Sequence, residues 1–246
     1  MLKNLVFKQK GEHNRALPDY YVKREAEAQH SDILTNPLVK VVLGPRRSGK
    51  SVFCSAVLQG KNYAYFNFDD DRLDLNNFNS DELMRGLEAA YQGFEYIFFD
   101  EIQNLPKWEL FVNRLHREGY NLIVTGSNAN LLGKELATAL TGRHLPIEIL
   151  PFSFREYLQA KGVTNFDDNS AVLDVLDSYL HKGSYPEIVT KSLSAGEYLS
   201  VLFDATLFKD VIKRHKIRYP SQIEDLGSYA VDNIGHLFSY PGLAKF

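Results

Sequence analysis

The segment Gly44–Ser51, GPRRSGKS, constrains this chain of 246 residues more than any other stretch. An apolar, β-branched run, Val39–Leu43 (VKVVL), precedes it, and Ser51–Leu58 (SVFCSAVL), with the length and composition of a helix, follows. A buried strand, a glycine loop and a helix in that order leave an open α/β sheet as the architecture. Gly44 and Gly49 permit a backbone path that larger residues resist, so successive N–H groups converge on an anion, and the helix dipole adds its positive end. Gly44, Pro45, Arg46, Arg47, Ser48, Gly49, Lys50, Ser51 and Val52 are therefore the candidate phosphate cradle. In such a cradle Lys50 reaches the β- and γ-phosphates and the Ser51 hydroxyl ligates Mg²⁺.

A second run, Tyr96–Asn104 (YIFFDEIQN), sets four apolar residues before two acids. An all-apolar strand buried on both faces delivers its first polar residues at its C-terminal edge, where ligands sit in open α/β sheets. Asp100 is the candidate Mg²⁺ holder. Glu101 is the candidate base that polarises an attacking water, a task a small-molecule kinase of this class does not require. A solvated acidic turn is the plainer reading of the pair.

Asn121–Ser127 (NLIVTGS) is a further apolar strand, running on through Asn128. Ser127 or Asn128 can hydrogen-bond the γ-phosphate or the lytic water, although Gly-Ser-Asn is also ordinary turn chemistry. Arg143, in LTGRHLPIEILP, stands just ahead of a last strand. Its guanidinium can neutralise charge developing on the γ-phosphoryl group, within the chain or in a neighbour, or it can make a surface ion pair. Arg46 and Arg47 compete for the same role.

GPRRSGKS, FFDEIQNLPKW, VTGSNANLL, LTGRHLPIEILPFSFREYL and GSYPEIV occur in that order from about Arg24 onward. As a set they resemble the prokaryotic AAA-superfamily ATPases that carry a C-terminal domain of unknown function. The resemblance implies a three-layer, AAA-like P-loop core with a parallel five-stranded sheet, a helical lid and the start of a winged-helix region. It also implies ATP rather than GTP as the nucleotide, and Arg143 as an arginine finger.

Composition fits a globular chain long enough for one α/β domain with an appendage. Hydrophobic residues are 44%, charged residues 24%, and the net charge is −3, which makes neither nucleic acid nor an anionic membrane an obligatory partner. The single cysteine, Cys54, forms no internal disulfide. No run reaches the 18 or so apolar residues of a membrane span, and MLKNLVFKQKGEHNR lacks a signal-peptide core, so a cytoplasmic location is expected. The scattered histidines suggest no zinc site.

Residues 1–38 read as a polar helical leader with a helix over Asp19–Gln29. Residues 39–151 read as the ATPase core, with strands near 39–43, 63–68, 96–100, 121–126 and 145–150 and a helix from Pro106 to Glu118. Residues 152–218 carry three- to four-residue apolar spacing and read as a helical lid. Residues 219–246 read as the opening of a winged helix, leaving Ile234, Leu237 and Phe238 with little to pack against. The acids ending NYAYFNFDDD fit a solvated loop or an aid to Mg²⁺ or adenosine. The basic stretch Lys209–Arg218 fits a solvated face or a contact with DNA or RNA.

The expected activity is Mg²⁺-dependent ATP binding and hydrolysis, with ATP and ADP as ligands, as a switch or motor for a partner. A homo-oligomer, or a nucleic-acid or protein partner at the C-terminal region, is compatible with it. The rival is a non-hydrolysing, nucleotide-dependent regulatory or DNA-associated module. A small-metabolite kinase ranks last, because it leaves Glu101 without a task.

Overall fold

In the computed structural model, residues 2–16, 20–75, 77–127, 140, 142–163, 169–213 and 216–237 are described. The chain forms two compact units, residues 1–190 and 191–246.

The first unit is built on five parallel strands: β1 (Val39–Leu43), β2 (Tyr63–Asn67), β3 (Tyr96–Asp100), β4 (Asn121–Gly126) and β5 (His144–Glu148). Their spatial order is β2-β3-β4-β1-β5. The expected strands are all present, with β2 one residue shorter and β5 shifted toward the N-terminus. The central strands β1 and β3 are buried throughout, as their unbroken apolar runs require. The crossover from β1 to β2 runs through α3 (Lys50–Val57), and those from β2 to β3 and β3 to β4 run through α4 (Ser80–Ala90) and α5 (Trp108–Arg117). The first crossover runs against the direction of the next two. Right-handed connections therefore put α3 on one face of the sheet and α4 and α5 on the other. Trp108 is buried in the core with Phe111, Val112 and Leu115.

The N-terminal segment departs from the polar leader expected of it. Leu2–Ala16 is a helix, α1, that buries Leu2, Leu5 and Val6 in the main core. Gly86 of α4 makes this approach possible, since a Cβ there would stand 3.2 Å from Val6 Cγ2 and 3.3 Å from the Lys3 Cα. The expected helix over 19–29 is realised only as α2 (Glu25–Gln29). Arg24 is extended (φ −89°, ψ 141°) as the N-cap of α2, with its N–H donating to Glu27 Oε1 at 3.0 Å and its side chain drawn to the Ser48 carbonyl.

Three further helices belong to the first unit: α6 (Phe154–Ala160), α7 (Asn169–Lys182) and α8 (Pro186–Lys191). Phe152, Tyr157 and Val189 form a small second core with Val22. This core and the Arg24–Glu156 ion pair bind α6 to α8 to the sheet domain, and the unit boundary falls at Thr190, inside the 152–218 stretch.

The second unit holds α9 (Ala195–Thr206), which continues as a π-helix over Leu207–Lys213, and α10 (Pro220–Asp232). In the basic stretch Ile212 is buried while Lys209, Lys213, Lys216 and Arg218 are exposed. Ile234 and Leu237 are exposed, and Phe238 lies outside the described residues. Among the described residues, no helix is long and apolar enough to cross a membrane.

Candidate functional site

Parallel strands that alternate with helices deliver their C-terminal ends to one edge, and the polar residues of β1, β3 and β4 meet there. Gly44 leaves β1 at φ 149°, and a Cβ on it would lie 2.0 Å from the Ile149 carbonyl oxygen, so no other residue fits. Gly49 (φ 96°) turns the chain into α3, whose first turn has no side-chain cap. Its leading N–H groups are thus left to an anion. The Ser48 hydroxyl is buried without a hydrogen-bond partner.

Lys50 is 4% exposed, and its Nζ donates to the carbonyls of Gly44 (3.1 Å) and Pro45 (2.9 Å). Burial lowers its pKa, against the pull of Glu101 and Asp100, and Glu101 Oε1 lies 3.9 Å away. Val52 lines a cavity of about 280 Å³ with Tyr21, Ser55 and Tyr63. The flanking arginines are engaged nearby. Arg46 stands 3.8 Å from Asp69, and Arg47, itself at φ 63°, stands 3.8 Å from Glu187.

Asp100 closes β3 as a buried carboxylate. Its Oδ1 accepts from Ser51 Oγ at 2.9 Å and from Thr125 Oγ1, and its Oδ2 accepts from the Tyr65 hydroxyl at 3.3 Å. Burial raises its pKa, with Glu101 adding to the rise, while the hydrogen bonds from Thr125 and Ser51 and the charge of Lys50 oppose it. A single hydroxyl and a single carboxylate, both hard oxygens, suit Mg²⁺, which takes few protein ligands and keeps waters and phosphate oxygens. Ser51 and Asp100 therefore fit the cation the fold implies.

Glu101 takes a left-handed backbone conformation (φ 51°, ψ 45°), strained for a residue with a Cβ. Its N–H donates to Thr125 Oγ1 at 2.9 Å. Its Oε2 accepts from Ser127 Oγ at 2.8 Å and from Gln103 Nε2. The structure thus brings Lys50, Ser51, Asp100, Glu101 and Ser127 together, whereas Asn128 lies outside the described residues.

Arg143 is elsewhere. Its carbonyl accepts from Val39 N at 3.0 Å, and His144 is in register with Val39, at the start of β1. The cradle begins after Leu43, so the length of β1, roughly 16 Å at a strand's rise per residue, separates the two. The exposed Arg143 instead lies close enough to His116 to lower its pKa, behind the larger effect of burial.

Sequence reasoning did not single out Thr125, Tyr65, Gln103 or Arg24. Thr125 left a trace, as the lone polar residue within an apolar strand. Of the acids after β2, Asp70 serves structure, since it accepts from Arg72 Nε at 2.8 Å and from Gln9 Nε2 at 2.7 Å. The guanidinium of Arg72 holds its pKa down to about 2.

The sheet order, the glycine loop between β1 and α3 and the polar strand ends define a P-loop NTPase fold of the AAA-like kind. The chain belongs to the AAA domain family, whose domain matches residues 36–158. An uncharacterized protein of Methanocaldococcus jannaschii is 32% identical over 247 residues, covering 93% of this chain and 55% of that protein. An uncharacterized protein of Haemophilus influenzae is 34% identical over 215 residues, covering 81% and 52%. The chain spans about half the length of these curated relatives. The fold is shared with the Walker-type ATPase PABY2304 of Pyrococcus abyssi, at a TM-score of 0.52 and 16% identity over 93% of this chain and 89% of that one.

Proposed function

We propose that the chain binds Mg·ATP and hydrolyses it, as a nucleotide-driven switch or motor for a partner. The observation that carries this reading is the meeting of Ser51 and Asp100 at 2.9 Å beside a buried Lys50, with Glu101 3.9 Å from that ammonium. In this reading the cradle amides and Lys50 grip the β- and γ-phosphates, exchanging the loop carbonyls that Lys50 now holds for phosphate oxygens. Ser51 and Asp100 would hold magnesium, which would supply positive charge against the charge developing on the phosphates. Glu101 orients and deprotonates the attacking water, and Ser127, hydrogen-bonded to Glu101, senses the γ-phosphate. Arg143 serves the site of a neighbouring copy, because the length of β1 separates it from its own.

Calorimetry with Mg·ATP and a phosphate-release assay test the reading together. Millimolar Mg·ATP giving no heat with folded wild-type chain, or undiminished uptake by Lys50→Ala, would overturn it.

A second reading draws on Glu101 itself. Ser127 and Gln103 both hold its Oε2, which suits a module that binds nucleotide without turning it over. The exposed cations of 209–218 give that module, or the motor, a surface for nucleic acid. Phosphate release measured with and without DNA separates these possibilities.

A further inference from the structure

Arg24 precedes the cradle by twenty residues and is 5% exposed, a rare state for an arginine unless it is paired. Its Nη1 donates to the Ser48 carbonyl at 3.0 Å, its Nη2 donates to the Leu150 carbonyl just past β5, and its Nε lies 3.1 Å from Glu156 Oε2. The guanidinium also lies over the Phe152 ring, 5.1 Å from its centroid. Glu156, on α6, also holds two backbone N–H groups. Its Oε1 accepts from Glu25 N at 2.8 Å and its Oε2 from Ser153 N at 3.0 Å.

The Ser48 carbonyl shares a planar trans peptide with the Gly49 N–H, and in such a unit the two bonds point in opposite directions. Holding that carbonyl toward Arg24 turns the Gly49 N–H away from Arg24, to the cradle side of the loop. Gly49 is the position where the chain is least constrained, at φ 96°. Without the anchor that peptide is free to rotate, and an N–H aimed at phosphate is lost.

We propose that Arg24 and Glu156 are a positioning pair that fixes the Ser48–Gly49 peptide in its anion-binding orientation and ties it to α6, so that nucleotide affinity depends on two residues that touch no nucleotide. The proposal rests on the reading of the cradle given above. Arg24→Lys keeps the charge that faces Glu156 but replaces a planar fork by one compact donor centre, which cannot span Ser48, Leu150 and Glu156 together. Glu156→Gln removes the charge while retaining an acceptor for the Ser153 N–H.

The test is Mg·ATP calorimetry and steady-state ATPase on wild type, Arg24→Lys, Glu156→Gln and Tyr157→Phe, each with its melting temperature. Tyr157→Phe, beside Glu156 on α6, deletes the hydroxyl 3.2 Å from Ser178 Oγ of α7 and serves as a purely structural control. Expected are a Kd raised about tenfold in Arg24→Lys and severalfold in Glu156→Gln, with KM following and kcat nearly unchanged. Wild-type affinity in a folded Arg24→Lys or Glu156→Gln overturns the proposal. So does a rise no larger than in Tyr157→Phe at an equal loss of melting temperature. Failure of the wild type to take up Mg·ATP sinks the cradle reading first, and the pairing role with it.

Discussion

The backbone N–H of Val39 donates to the carbonyl of Arg143 at 3.0 Å, which fixes Arg143 at the N-terminal edge of a sheet whose phosphate loop leaves the C-terminal edge. In the proposed reading an arginine so placed would serve nucleotide only across an interface between copies. Arg143→Ala is expected to lower turnover by about a thousandfold while leaving nucleotide affinity intact. Wild-type specific activity is expected to fall on dilution. Mixing Arg143→Ala with Lys50→Ala should restore activity in part, since each supplies what the other lacks. Phosphate release that scales linearly with protein, with no recovery in the mixture, would assign Arg143 to the surface.

In the proposed reading Glu101 lies off the direct Lys50–Ser51–Asp100 grip. Glu101→Gln is therefore expected to keep Mg·ATP bound with a Kd within a few fold of wild type, while turnover falls at least about a hundredfold. Single-turnover quench kinetics with equilibrium binding on the same sample check both halves. Unchanged turnover removes Glu101 from the role of base.

Asp100 is a buried carboxylate whose pKa stands above its ordinary value, chiefly through burial. Below the ordinary carboxylate range both states are protonated and the group makes no difference. As pH rises through the raised value the folded chain must ionise a group the unfolded chain ionises readily, and stability falls. At neutral pH, Asp100→Asn is expected to raise the melting temperature of the ligand-free chain by about 2–4 °C, or about 1 kcal/mol. It should also abolish the further rise that Mg·ATP gives the wild type. A lower melting temperature in ligand-free Asp100→Asn would show that the hydrogen bonds from Ser51 and Thr125 outweigh the burial of charge.

His13, on α1, stacks on Tyr65 with ring centroids 3.7 Å apart and has Nε2 2.9 Å from the Tyr63 hydroxyl. Burial lowers its pKa from 6.5 to about 4. The unfolded chain takes up this proton near pH 6.5 and the folded chain only near 4, so stability is full above 6.5 and drains away between those values. His13→Phe keeps the stack and removes the titration. Urea unfolding at pH 7.5 and pH 5 should show the variant losing about 1–2 kcal/mol less than wild type. Equal losses would place His13 outside the acid response.

The sheet was legible because its strands are runs of apolar residues ending in glycine or acid. VKVVL before Gly44 and YIFF before Asp100 announce both burial and the ligand edge. Neighbours in space were not. Thr125 meets Asp100 only because β4 lies beside β3, and nothing local marks Arg24 as more than one charge in a polar segment. The helix at Leu2–Ala16 was missed for the same reason. Its buried residues, Leu2, Leu5, Val6 and Gln9, make a thin stripe among lysines, and the surface that completes it lies on α4 and β2. The helix expected over 19–29 is shortened in the opposite sense, with local propensity yielding to the distant partners of Arg24.

Gln9 carries a practical consequence. Its side-chain amide accepts from the Asn67 N–H at 2.8 Å and donates to the Asn67 carbonyl at 3.0 Å, answering the outward peptide groups of β2 as a sixth strand would. A fragment trimmed to start at β1 strips that hem from the sheet and bares a rail onto which β2 of another molecule can zip. Preparations lacking the first sixteen residues are then prone to pair edge to edge, and rates measured on them describe the paired material rather than the native chain.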